Sequence, residues 1–86
     1  MKNEIMELIG KEFDFVELDN IMVSNNFYSV FNDGITEDIK RDKNVIYTDI
    51  KNNEATLIID FNIVIDNSKD EDIENFVLKV NKIEKY

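Results

Sequence analysis

Residues 55–66 have the sequence ATLIIDFNIVID, in which every odd-numbered residue is apolar. Side chains at every second position of a β-strand lie on one face, so this segment predicts a long strand that packs one face against the core. The predicted core face carries Ala55, Leu57, Ile59, Phe61, Ile63 and Ile65. The predicted outer face carries Thr56, Ile58, Asp60, Asn62, Val64 and Asp66.

The preceding segment, residues 45–50, predicts the partner strand of a β-hairpin. Asn52 and Asn53 suit a two-residue turn, because asparagine tolerates the left-handed backbone of such turns. Counting outward from this turn predicts four pairs: Ile50 with Ala55, Thr48 with Leu57, Ile46 with Ile59, and, on the opposite face, Tyr47 with Ile58. The same register predicts Asp49 opposite Thr56 and Asp60 opposite Val45, both on the outer face.

A helix is predicted over residues 15–25. The capping-box positions are held by Asp14 and Glu17, and the hydrophobic-staple positions by Phe13 and Leu18. Asn26 follows where a helix commonly ends in the left-handed conformation. Residues 12–18 also alternate as a strand would, but the start and stop signals agree on a helix.

Two weaker helical signals flank this segment. Residues 4–9 have an apolar helical face and are followed by Gly10 at a terminating position. The polar segment 35–43 contains Thr36, a residue type that caps helices, and the acids Glu37 and Asp38 follow it. The first signal predicts a short helix and the second a helical turn.

A short aromatic strand is predicted over residues 27–31, before a turn at residues 32–34. Phe27 and Phe31 are predicted to lie in the core. Tyr28 is predicted to lie on the other face and to be available to a partner.

The C-terminal segment is compatible with two structures. Residues 68–71 match a capping box, and apolar residues follow at helical spacing. Residues 75–84 also alternate and are rich in strand-forming types, so we favour a final strand after a polar segment at 66–74. Together these elements predict one α+β domain over residues 1–86. It has one or two N-terminal helices packed on an antiparallel sheet of three to four strands.

The charge balance limits the function classes. The chain has 19 acidic and 10 basic residues, a formal charge of −9, and neither histidine nor cysteine. Histidine and cysteine supply the commonest general base, nucleophilic thiol and soft metal ligands. We therefore expect a protein without catalytic activity or cofactor. With no export signal or long apolar run, we expect it in the cytoplasm and off the membrane.

The acids are grouped in two blocks. Residues 1–39 carry nine acids and two bases, and residues 52–74 carry seven acids and one base. Such blocks are usually a solvated surface, but they also suit a basic protein partner. The residues predicted to bind that partner are Asp66, Asp70, Glu71, Asp72, Glu74 and Tyr28.

Spacing within the second block suggests a kind of partner. If Asp70, Asp72 and Glu74 are extended, their carboxylates stand about 6.8 Å apart, close to two phosphate steps of a DNA strand. Such a row can compete for basic side chains that grip phosphates. Direct nucleic-acid binding is not expected, because the overall charge opposes it.

No metal site is predicted. Asp66, Ser68 and Asp70 resemble the start of a calcium loop, but Glu71 and Val77 occupy positions that need glycine and glutamate. Asp49 and Asp60 are separated along the predicted hairpin, so they do not form a magnesium site.

In size, charge and lack of catalytic residues, the whole chain resembles the small acidic proteins of phages and mobile elements, among which anti-CRISPR and other anti-defence inhibitors are found. The resemblance implies a non-enzymatic inhibitor or modulator of a nucleic-acid-handling protein. Two alternatives remain open: an immunity or antitoxin-like binder of a basic toxin, and a structural protein that self-associates through a sheet edge. A homodimer is compatible with each.

Overall fold

The structure, a computed structural model, describes residues 3–49, 51, 56–66 and 76–85. Its helices are α1 (Asn3–Met6), α2 (Phe15–Ser24) and α3 (Ile35–Asp42). Its strands are β1 (Glu12–Asp14), β2 (Phe27–Val30), β3 (Asn44–Asp49), β4 (Thr56–Asp66) and β5 (Phe76–Lys85). The α+β class is confirmed, and so is the choice of a strand at the C-terminus.

The described strands form one antiparallel sheet in the order β1-β5-β4-β3-β2. β4, the segment quoted first, is therefore the central strand. The sheet has five strands rather than three or four, because β1 pairs with β5 through contacts such as Phe13 opposite Leu78. Residues 12–14 are thus a strand, and the helix predicted over residues 15–25 begins immediately after it.

The core lies between one face of the sheet and the helices. Leu57, Ile59 and Phe61 are buried as predicted, and β5 contributes Phe76, Leu78 and Val80 to the same core. The helices contribute Ile5, Phe15, Leu18, Met22 and Ile39. Phe27 is buried and Phe31 packs against the core, as predicted for both.

The predicted register between β3 and β4 is wrong by one residue. Tyr47 lies opposite Leu57 and Val45 opposite Ile59, so Val45 and Tyr47 face the core while Ile46 is only half-buried. A one-residue slip moves every side chain to the other face. Each face of β3 carries both apolar and polar residues, so its own pattern does not select the register. The predicted turn at residues 52–53 and the predicted Ile50 pair lie outside the described residues.

The predicted core face of β4 also ends early. The pairing with β5 shifts between Ile63 and Ile65, so Val64 is an extra residue without a partner in the ladder. A bulge of this kind interrupts the alternation. Ile63 remains half-buried, whereas Ile65, predicted to face the core, is 45% exposed.

The predicted cap of α2 is confirmed. The Asp14 side chain accepts a hydrogen bond from the Glu17 backbone N–H at 2.8 Å. At the other end Asn26 has φ +68°, the left-handed conformation expected there. The helix therefore begins and ends where its sequence signals predict, to within one residue.

The other two helices differ in detail from expectation. α1 ends at Met6, and turns follow up to Gly10, whose φ of +86° and hydrogen bond to the Val80 carbonyl lead the chain into β1. α3 is a helix of two turns rather than one. Its N-cap is Gly34 and not Thr36, and no side chain caps it.

α2 connects the two edges of the sheet across the core face. It follows β1 directly and precedes β2, and it contacts both strands and also β5. Ten residues of helix are about 15 Å long, and four strand spacings are about 19 Å. The length of α2 therefore nearly matches the width of the sheet that it covers.

We expect Asp14→Ala to lower the free energy of unfolding by about 1 kcal/mol, because the first turn of α2 loses its cap. Asp14→Asn is the matched control, since asparagine caps as well as aspartate. Urea denaturation measures both. Equal losses in the two variants would assign the effect to charge rather than to capping.

We expect Ile59→Ala to cost about 2–5 kcal/mol, because it opens a cavity beneath the central strand. Ile58→Ala, the neighbouring change on the half-buried outer face, should cost clearly less. Urea midpoints and m-values compare the two. A larger loss for Ile58 would contradict the orientation of β4.

Candidate protein-binding surface

The sheet register brings the two acidic blocks together at one end. Asp14, the last residue of β1, lies opposite Val77 of β5, and Val77 also lies opposite Ile65 of β4. Two strand spacings place the backbone of Asp14 about 10 Å from that of Ile65. Asp66 follows, opposite Phe76. We call this region, made of Asp14, Glu17 and the end of β4 at Asp66, the acidic end.

Two carboxylates lie side by side at the N-terminus of α2. The Glu17 side chain is exposed, and the adjacent Asp14 carboxylate raises its pKa, chiefly because the two side chains can share a hydrogen bond when one is protonated. The partial positive charge of the helix N-terminus favours anions at this position. The pair presents concentrated negative charge to solvent.

The carboxylates near this end are not neutralised by described basic side chains. The four ion pairs among the described residues all involve Arg41 or Lys82. Residues 12–17 carry three acids and no basic residue. Their charge is thus available to an external partner.

A second carboxylate cluster is used internally. Asp38 is buried and accepts hydrogen bonds from the backbone N–H groups of Asn32 (2.6 Å) and Asp33 (3.1 Å), and its Oδ1 lies 3.1 Å from Arg41 Nη2. Arg41 also pairs with Asp33 and with Asp42, and a hydrogen bond from Arg41 holds the pKa of Asp42 below its usual range. These contacts hold the connection between β2 and α3.

Sequence reasoning treated Asp38 as part of a solvated acidic block. The sequence does contain a signal for this internal role. Asp38 lies in the predicted helical turn and follows the predicted turn at 32–34, and the backbone N–H groups of such a turn need acceptors. This cluster is structural, because Asp38 binds donors within the chain. We therefore do not count it as part of the acidic end.

Tyr28 is exposed, as predicted, but it does not join the acidic end. It lies on β2, the edge strand opposite β1, in a row with Thr48 and Thr56. Thr56 begins β4 and Asp66 ends it, which separates them by about 33 Å along the strand. Tyr28 therefore belongs to a different surface.

The predicted binding residues Asp70, Glu71, Asp72 and Glu74 lie outside the described residues, as do Ser68 and Asp70 of the calcium-loop pattern. Asp60 lies opposite Asn44 and Lys82, not Val45, and Asp49 lies opposite Phe27. Among the residues that the structure describes, no three acidic side chains are placed to share a metal ion.

Comparison with protein families, curated proteins and solved structures gave no match. Within the described ranges, no helix has the length and apolar character needed to cross a membrane.

One buried polar contact joins the helical layer to the sheet. The Tyr47 hydroxyl, on a fully buried side chain, donates a hydrogen bond to Asp19 Oδ1 at 3.0 Å. Burial, and then the negative charge of Asp19, raise the pKa of Tyr47. Sequence reasoning placed Tyr47 on the outer face, because it used the wrong register.

We expect Tyr47→Phe to cost about 1.5–3 kcal/mol at neutral pH, because Asp19 loses a buried donor. Since folding raises this pKa, the folded chain keeps a proton that the unfolded chain releases. Stability should therefore fall as the pH rises above about 10, the ordinary tyrosine pKa. Urea denaturation from neutral to alkaline pH measures this decline, which should be weaker in Tyr47→Phe.

The exposed Tyr28→Phe is the control and should leave the alkaline decline in place. An alkaline decline that is the same in wild type and Tyr47→Phe would exclude Tyr47 as its source.

Proposed function

We propose that the protein is a non-enzymatic acidic binding protein that inhibits or modulates a basic, nucleic-acid-handling protein. The observation that carries the proposal is the register at the acidic end, where Asp14 and Ile65–Asp66 lie on strands that flank β5. The backbones of two blocks that are far apart in sequence thus meet at one end of the sheet. Charge that served only solubility would not need to be grouped in this way.

The second block extends this surface in the proposal. Residues 67–75 connect Asp66 to Phe76, whose backbones lie opposite each other. We propose that the carboxylates which the sequence analysis selected in this segment bind the same partner as the acidic end. The members in this segment are Asp70, Glu71, Asp72 and Glu74.

Electrostatics explain why the partner is expected to be basic. A net charge of −9 repels acidic surfaces and accelerates encounter with basic ones. Basic patches on proteins that handle nucleic acids are arranged to grip phosphates. Closely spaced carboxylates offer the same side chains a competing anion. The resemblance to anti-defence inhibitors fits this reading and stays a prediction.

Two matched variants test the proposal. The first neutralises the acidic end with Glu17→Gln, Asp70→Asn, Asp72→Asn and Glu74→Gln. The control neutralises exposed acids elsewhere with Glu4→Gln, Glu7→Gln, Glu37→Gln and Glu84→Gln. Each loses four carboxylates, so the two variants have the same net charge. Asp14 is retained in both because it caps α2.

The immobilised wild-type chain is first used to capture its partner from lysate at low salt. The association rates of the purified partner are then measured with wild type and with each variant. We expect the acidic-end variant to associate at least about tenfold more slowly, and the control to stay close to wild type. Raising the salt concentration should lower the association rate of wild type more than that of the acidic-end variant. Equal rates for the two variants, or rates insensitive to salt, would contradict the proposal.

A further inference from the structure

Among the described residues, the β2 edge of the sheet is unpaired and uncharged. β2 pairs with β3 on one side and ends the strand order on the other. It lies within residues 20–32, which contain no acidic or basic residue in a chain that is 34% charged. Edge strands are usually protected by short length, charged residues, proline or bulges; β2 is short, at four residues, but has none of the other three. Its pairing with β3 is continuous over all four residues.

The opposite edge shows the usual protection. β1 has three residues, of which Glu12 and Asp14 are acidic, and α2 begins immediately after it. The two edge strands therefore differ in charge: β1 is acidic and β2 carries no charged residue.

The open face of the sheet beside β2 is apolar. Val30 lies opposite Ile46, and Ile46 opposite Ile58, so the three form a row across the strands β2, β3 and β4. Tyr28 and Val30 are 44% and 41% exposed. On the helical side, Val23 of α2 is also exposed, and α2 contacts β2. Apolar side chains are thus exposed on β2 itself and on the helix that contacts it.

We propose that β2 is a self-association edge, at which two copies of the chain pair their β2 strands antiparallel and form a continuous ten-stranded sheet. Residues that face each other across such a pair must lie on the same face. A two-fold axis at Ser29 meets this condition and puts Tyr28 opposite Val30 of the second copy. The row of Val30, Ile46 and Ile58 in each copy would then continue across the new strand pair into the second copy.

Charge selects a second copy as the occupant. Two chains of −9 repel each other, and this repulsion opposes pairing least where the approaching surfaces carry no charge. Residues 20–32 meet that condition. Asp33, which follows this segment, is paired with Arg41. A basic partner would gain nothing from an uncharged edge and is expected at the acidic end instead.

The dimer would leave the acidic end free. β1 and β2 are opposite edges of the sheet, and the row through Tyr28 reaches β4 at Thr56, about 33 Å along the strand from Asp66. Each dimer would present two acidic ends. The pairing adds a four-residue edge, so we expect a weak dimer, with a dissociation constant above about 1 µM.

Sedimentation of the purified chain over a concentration series tests this proposal without any partner protein. We expect a monomer–dimer equilibrium that shifts toward dimer as salt rises, because screening weakens the repulsion between the two chains. Binding of a basic partner has the opposite salt dependence, so the two proposals fail independently. A chain that stays monomeric up to about 1 mM at high salt would overturn this one.

Two lysine variants locate the interface. Val30→Lys places a charge on the edge and should weaken dimerisation by about tenfold or more. Val64→Lys makes the same change at a residue that is 48% exposed on central β4, and it should dimerise like wild type. Circular dichroism and urea midpoints verify folding. Equal weakening by both variants would overturn the assignment to β2.

Hydrogen exchange of the wild-type chain gives a readout that needs no variant. In the dimer, alternate backbone N–H groups of β2 donate across the new pair, so their exchange should slow with rising protein concentration. Concentration-dependent protection confined to another segment would also overturn the proposal.

Discussion

Burial of one apolar face of β4 is the constraint on which the other elements depend. Leu57, Ile59 and Phe61 are almost inaccessible to solvent, and β4 is the middle strand of five. A central strand needs a partner on each side for its backbone and a cover for its apolar face. β3 and β5 supply the partners, and the helices supply the cover. The edge strands β1 and β2 are added outside this unit.

The helix α2 connects the two edge strands, β1 and β2, across the core face of the sheet. Asp14 ends β1 and caps α2, and Asn26, in the left-handed conformation, turns the chain from α2 into β2. A helix of about 15 Å therefore ties opposite edges of the sheet to one side of the core. This arrangement separates the acidic end from the uncharged β2 edge, so one small domain presents two surfaces of different character.

Charge is distributed in three ways in this fold. Some carboxylates, such as Asp38 and Asp19, bind donors inside the molecule. Others, such as Glu17, are exposed next to a second carboxylate and increase the local field. The segment at 20–32 has no charge at all. Long-range repulsion keeps a chain of this charge soluble, and an uncharged strand marks where that repulsion is locally weakest.

The sequence by itself determined the parts of the fold that local chemistry controls. The cap and stop residues of α2, the alternation of β4 and the strand at the C-terminus each follow from neighbouring residues, and the structure confirms them. Tertiary structure alone decided the register of β3, because each face of β3 carries both apolar and polar residues. It also decided the bulge at Val64 and the pairing of β1 with β5, which depend on strands distant in sequence. The convergence of Asp14 and Asp66 at one end is a consequence of that pairing, and no local pattern encodes it.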